Sequence, residues 1–162
     1  MTPLARDVEI AAEKRRALLQ RSRDDPAYPK NRDKIAARIR KEIDLRLTPL
    51  GFQREGRVWK RKGWWYDLSV DLQRSSYGHD AWINLTATPR LGGRAVQRRL
   101  GDFYPNPPYA AEPGRLTYQA LIEDAALLDA PMQVFDTRAL PWLIGMGRFI
   151  PVGRGSVHHL SK

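Results

Sequence analysis

Two neighbouring segments with strict two-residue alternation, joined by a turn-rich stretch, constrain the fold of this chain more than any other feature. The first covers Tyr66–Gln73 and the second covers Ala81–Thr88, with apolar residues at every other position. Because successive side chains of a β-strand point to opposite faces, each segment is predicted to be a strand with one buried and one polar face. The intervening Ser75–Asp80 has turn composition and predicts one antiparallel hairpin.

Helical periodicity precedes this hairpin. Apolar residues recur every four positions between Arg32 and Leu47, which predicts an amphipathic helix. A more basic helix is predicted over Pro3–Arg23, with Thr2 as its cap, and the proline-containing stretch 24–29 ends it.

The remaining elements are predicted from shorter patterns. They are short strands at Phe52–Glu55 and Val58–Arg61, a loop-rich region over 89–114, a helix over Leu116–Leu128, a short strand at Met132–Phe135 and a helix over Asp136–Ile144. The predicted fold class is α+β, with an antiparallel sheet of about four or five strands packed against two or three helices and an N-terminal helical extension. The predicted organisation is a basic helical extension (1–30), a single domain (31–150) and a tail (151–162).

Several classes of protein are excluded or disfavoured by composition. The chain has no cysteine, which removes disulfides, thiolate metal sites and thiol nucleophiles and favours a reducing cytoplasm. Its apolar stretches are too short to span a bilayer, so no membrane association is predicted. No metalloprotease motif, nucleophile elbow or phosphate-loop motif occurs. The sequence therefore predicts no catalytic residue, metal or cofactor.

The polar face of the predicted hairpin is the first candidate site. Its side chains are able to donate and accept hydrogen bonds and thus to line a pocket. The alternative is a solvated sheet face with a hydrogen-bonded turn. The candidate residues are Asp67, Asp71, Gln73, Arg74, Ser75 and Asn84.

The uneven distribution of positive charge gives the second candidate site. The formal net charge is +10. Residues 1–46 hold 13 Lys and Arg against 8 Asp and Glu, residues 47–104 hold 10 against 5, and residues 105–162 hold 5 against 5. Such asymmetry is typical of polyanion-binding proteins, and it is also a feature of chains kept soluble by charge. The candidate residues are Lys14, Arg15, Arg16, Lys60, Arg61, Lys62, Arg94, Arg98 and Arg99.

The central part of the chain resembles a known family. Gly51-Phe52, then Gly56 to Arg61, then Val70 to Gly78 and finally Ile83-Asn84-Leu85 follow one another in that order after a helix. This order resembles the bacterial family described as domain of unknown function 4304, over about residues 35–90. The resemblance implies an α+β domain with an antiparallel sheet and implies no catalytic residue.

Three functional hypotheses remain from the sequence. The first is a non-catalytic binding module for an acidic partner, either nucleic acid or an acidic protein surface. The second is an enzyme whose pocket lies on the polar face of the hairpin, with a cleft and a carboxylate of shifted pKa near Gln73 and Asn84. The third is an accessory or neutralising protein for a cognate bacterial partner.

Overall fold

The two alternating segments form the centre of an antiparallel sheet in the computed structural model, which describes residues 3–105 and 113–148. Strand β3 (Tyr66–Arg74) pairs with β4 (Asp80–Pro89) along its whole length. In this register Val70 lies opposite Leu85, and both are fully buried. The predicted hairpin and its apolar face are confirmed.

The other strands extend the sheet on both sides of this hairpin. They are β1 (Gln53–Glu55), β2 (Val58–Arg61), β5 (Val96–Arg99) and β6 (Leu116–Thr117). Strands β1 to β5 are arranged in sequence order, and β6 pairs with the first residues of β4. All pairings among the described residues are antiparallel. Strands β5 and β6 lie in segments that the sequence analysis assigned to a loop and a helix.

The helices are α1 (Pro3–Asp24), α2 (Tyr28–Leu47), α3 (Tyr118–Glu123), α4 (Asp129–Val134) and α5 (Leu140–Arg148). Helix α2 begins four residues before the predicted start. Pro29 lies in its first turn, where the missing N–H costs no hydrogen bond. The α+β class with an N-terminal helix is confirmed.

Two predicted elements after residue 115 are wrong. The predicted strand Met132–Phe135 is helical, because the buried Met132, Phe135, Ala139 and Leu143 follow a helical spacing. A π turn, Phe135–Ala139, joins α4 to α5. The predicted helix Leu116–Leu128 is divided into β6, α3 and a 3-10 turn, Ala125–Leu128, because the backbone of Asp124 is extended.

The core lies between one face of the sheet and the helices. Trp59 on β2 is fully buried, and its Nε1 donates to Asp44 of α2 at 2.7 Å. On α5, Gly147 lies so close to Leu68 of β3 that a Cβ there would be 2.9 Å from the leucine side chain. These contacts place α2 and α5 on the apolar face and leave the polar face of β3 and β4 on the other side.

The predicted boundary at residue 30 and the domain 31–150 remain predictions. The predicted tail, residues 151–162, lies outside the described residues. Across the part of the chain that the structure describes, no helix is both long and apolar enough to cross a membrane.

Candidate functional site

A cleft of about 530 Å³ lies where α1 passes the closed end of the β3–β4 hairpin. The sheet lines the cleft through the end of the hairpin, Trp82 of β4 and Arg99 of β5. Its lining residues are Arg15, Leu19, Arg23, Gln73, Arg74, Ser75, Ser76, Tyr77, His79, Asp80, Trp82 and Arg99. Four of these are arginines and one is a carboxylate, so the described lining has an excess of positive charge.

Helix α1 supplies one wall of the cleft. Arg15, Leu19 and Arg23 recur every four residues and therefore form one stripe of the helix. The helix is attached to the hairpin end by Ser22, whose Oγ lies 3.2 Å from Nδ1 of His79.

A second attachment of α1 lies outside the cleft. Arg21 donates to Glu123 of α3 at 2.7 Å and 3.0 Å. This paired guanidinium, together with a hydrogen bond from Gln119, holds the pKa of Glu123 below its ordinary value.

Asp80 anchors the arrangement from the first residue of β4. Its side chain is 3% exposed. One carboxylate oxygen accepts a hydrogen bond from Arg15 at 2.9 Å and the other accepts one from Thr117 at 2.9 Å. With both oxygens engaged, this carboxylate positions α1 and β6.

The turn itself is closed by local hydrogen bonds. The Ser75 hydroxyl accepts from the backbone amides of His79 and Asp80, at 3.1 Å and 3.2 Å. Gly78 has a φ of 72°, a left-handed conformation that glycine adopts without strain. These contacts assign Ser75 a part in forming the turn.

Cationic and aromatic groups meet inside the cleft. The guanidinium of Arg99 lies 5.5 Å from the ring centre of Trp82, in a cation–π arrangement. Two buried donors of the lining residues, Nη1 of Arg15 and Nε1 of Trp82, find no hydrogen-bond partner among the described residues. At the rim, Tyr77 is 86% exposed. A ligand that carries acceptor oxygens would satisfy the unpaired donors and reduce their desolvation cost.

The structure divides the predicted polar set between two ends of the sheet. Gln73, Arg74 and Ser75 line the cleft. The amide of buried Asn84 donates to Gln73 at 2.9 Å, and Asp71 lies opposite Asn84 in register. Asp67 lies at the other end of β3, opposite Thr88, and its Oδ1 is 3.8 Å from Nε of Arg90.

The predicted cationic set is not gathered on one face. Arg15 and Arg99 line the cleft, whereas Lys14 and Arg16 are exposed elsewhere on α1. The remaining residues lie apart from the cleft. A depression at the far end of the sheet is lined by Lys60, Arg61 and Lys62. Another depression, beside β5, is lined by Arg94, and Arg98 packs on the rings of Phe103 and Trp142. Lys60 is also paired with Glu55. Of the predicted cationic residues, Arg15 and Arg99 therefore line the cleft and the others do not.

Arg23 and His79 line the cleft but were not predicted from the sequence as site residues. The stripe Arg15–Leu19–Arg23 was visible as a four-residue repeat, but nothing in the sequence indicated that this stripe faces the hairpin. His79 lies in the predicted turn Ser75–Asp80, and no pattern in the sequence marks it as a lining residue. Among the described residues, no cluster of three His, Cys, Asp or Glu side chains is placed to hold a metal ion.

Comparison with known proteins gives no relative: no family model, curated protein or solved structure matches this chain. The resemblance of residues 35–90 to the domain of unknown function 4304 therefore stays a prediction.

Proposed function

We propose that this protein is a non-catalytic binding module for single-stranded nucleic acid and that the cleft between α1 and the hairpin end is its binding site. The observation that carries this proposal is the meeting of Arg15, Arg23 and Arg99 with Trp82 and Tyr77 around unpaired donors.

Positive charge at this site supports an anionic ligand in general. A nucleic-acid backbone presents a phosphate charge at each nucleotide, and cationic side chains gain affinity for it by releasing counterions. Guanidinium groups suit phosphate because their N–H groups match two of its oxygens.

The aromatic residues favour nucleic acid over an acidic protein. The ring of Tyr77 is open to solvent at the rim, where an unpaired base is able to stack on it. Bases in a duplex are stacked on each other and do not offer this contact, so single strands are the expected ligand.

Fluorescence anisotropy of a labelled oligothymidylate tests the proposal. Titrations with single and double strands, at about 50 and about 200 mM salt, should show tighter binding of the single strand and a steep loss of affinity with salt. Tyr77→Ala should weaken binding by about fivefold to a hundredfold, because stacking contributes about 1–3 kcal/mol per base.

Matched charge variants locate the site. Arg99→Gln and Arg23→Gln should each weaken binding and reduce the salt slope by about 0.7 if one phosphate contact is lost. Lys62→Gln removes the same charge at the far end of the sheet and should leave the affinity within about twofold of the wild type. Absence of binding at low salt would disprove the proposal. Equal losses in all three variants would also disprove it, and full competition by polyglutamate would indicate an acidic protein partner.

The enzyme hypothesis has less support from the site. It requires a reactive carboxylate beside the cleft, and Asp80 makes hydrogen bonds through both oxygens. The proposed binding function needs only the donors, charges and aromatic faces described above.

A further inference from the structure

A second group of arginines lies behind the hairpin turn, on the helix side of the sheet. Arg74 follows Gln73 directly in β3, so their side chains point to opposite faces of the sheet. The Nη1 of Arg32, from α2, lies against Gly78 of the turn, 3.2 Å from where a Cβ would stand. Both guanidinium groups therefore belong to one corner of the molecule.

Tyr118 and Arg40 complete this corner. The backbone amide of Tyr118 donates to the carbonyl of His79 at 3.0 Å, which places α3 beside the turn. Along α2, Arg32 and Arg40 lie on the stripe of the fully buried Ala36. Helix α2 packs against α3, and both arginines lie close enough to Tyr118 to lower its pKa by their charge. Helix α2 thus directs both arginines toward Tyr118.

Polar atoms at the base of this corner lack partners. Tyr118 is fully buried, and among the described residues no acceptor meets the proton of its hydroxyl, because Arg74 beside it is itself a donor. Nε of Arg74 also has no partner in the part of the chain that the structure describes. Buried polar groups without partners are costly, so such a pair in a folded protein needs an explanation.

The protonation of Tyr118 makes it a donor. Burial raises the pKa of its hydroxyl, and the charges of Arg74, Arg32 and Arg40, together with a hydrogen bond from Arg74, oppose this rise without cancelling it. The neighbouring Tyr28 behaves similarly, with burial raising its pKa to about 12. At neutral pH the Tyr118 hydroxyl keeps its proton and has it available for an acceptor oxygen.

Little negative charge offsets the three arginines. In the described ranges, no carboxylate lies within 4 Å of Arg40 or Arg74, and Arg32 is paired only with Asp33, its exposed neighbour in sequence. Asp80 lies close enough to raise the pKa of Tyr28, but it is paired with Arg15.

We propose that Arg32, Arg40 and Arg74, with the Tyr118 hydroxyl at the base, form a second site that binds a phosphate group. The side chains of Arg32 and Arg40 are partly exposed and form the solvent side of this site. Guanidinium groups and a phenol O–H are all donors, a combination suited to an oxyanion. This site is separate from the cleft, shares only Arg74 with its lining, and does not depend on the proposed nucleic-acid function.

Isothermal titration calorimetry of the full chain with inorganic phosphate, against chloride at equal ionic strength, tests this site. Arg40→Gln should weaken phosphate binding by about tenfold or more, since hydrogen bonds to charged groups carry that much affinity. Lys41→Gln is the matched control, because Lys41 is an exposed neighbour on the same helix. It should bind as the wild type does, and Arg32→Gln should repeat the loss.

Tyr118→Phe separates a binding role from a structural one. Removing a buried hydroxyl whose proton meets no acceptor should raise the thermal midpoint in chloride, while phosphate affinity falls by about fivefold. Loss of both stability and affinity would assign Tyr118 a structural role and remove it from the site.

Three results would overturn the proposal. The first is that the wild type does not bind phosphate. The second is that Arg40→Gln and Lys41→Gln weaken phosphate binding equally. The third is that Arg23→Gln weakens phosphate binding and Arg40→Gln does not, which would place the anion in the cleft. Oligothymidylate titrations of the same variants distinguish the source of the phosphate. Weaker oligonucleotide binding by Arg40→Gln indicates backbone phosphate, and an effect on inorganic phosphate alone indicates a small anion.

Discussion

Replacing Arg15 by Met is expected to destabilise the folded chain by removing the charge that pairs with Asp80. The carboxylate of Asp80 is 3% exposed and lies 2.9 Å from the Arg15 guanidinium. Removing one member of a buried ion pair costs about 3–5 kcal/mol, because the other charge stays buried and unpaired. Here the Arg15 side chain is 38% exposed, and Asp80 keeps its hydrogen bond from Thr117, so a loss of about 2 kcal/mol is expected.

Urea unfolding followed by circular dichroism measures this loss. The free energy of unfolding should fall while the m-value stays unchanged, since the surface exposed on unfolding is the same. Arg16→Met is the matched control: its side chain is exposed on the same helix, and the change should stay within about 0.5 kcal/mol.

A double-mutant cycle with Asp80→Asn separates the pair from its surroundings. Once the carboxylate is an amide, replacing Arg15 leaves no unpaired buried charge, so the two changes should be less than additive by about 1–2 kcal/mol. Equal stabilities of Arg15→Met and Arg16→Met, or strict additivity in the cycle, would refute the view that this pair attaches α1 to the hairpin.

Two further predictions concern separate parts of the fold. Gly101→Ala should lower the free energy of unfolding by about 1–3 kcal/mol, because its Cβ would lie 2.1 Å from the carbonyl oxygen of Pro113. Gly145→Ala, in α5, should raise it by about 0.5–1 kcal/mol, because no described atom lies within 4 Å of the added Cβ and alanine favours the helix. Thermal unfolding of both variants checks the opposite signs. The pKa of Glu123 is lowered in the folded state, so the stability it derives from Arg21 is present above the ordinary value of 4.5 and is lost as the pH falls through the lowered value. Arg21→Gln should therefore be less stable than the wild type at neutral pH and should approach it in acid, and a gap that is independent of pH would contradict this assignment.

The central hairpin was predictable because its pattern leaves little freedom. A shift of one residue in the pairing of β3 with β4 would turn Val70 and Leu85 to the polar face, so the alternation in the sequence determines the register. Helix α4 was not predictable in this way. Met132–Phe135 is a short apolar run, and such a run fits a strand or a helix until the later positions Ala139 and Leu143 are included.

The cleft was predictable only in part, since it depends on tertiary contacts. Gln73 and Ser75 lie on the predicted hairpin, and their place beside the turn follows from local sequence. Arg15 donates a hydrogen bond to Asp80, which lies 65 positions away in the chain. Arg99 contacts the ring of Trp82 because β5, a strand that was not predicted, places it beside β4. Side-chain spacing within one element carries no information about such partners.

Net charge by itself does not locate the anion-binding surfaces of this protein, because carboxylates compensate many of its cations. At the far end of the sheet Lys60 pairs with Glu55, and Arg90 lies beside Asp67. At the hairpin end Asp80 is the carboxylate among the described cleft residues, and Arg15 already engages it. Exposed charges separated by more than about 8 Å are largely screened at physiological salt, so the balance within each end matters more than the total of +10. Both proposed sites lie around the same turn, where Arg40 and Arg74 are partly buried and have no carboxylate within 4 Å among the described residues.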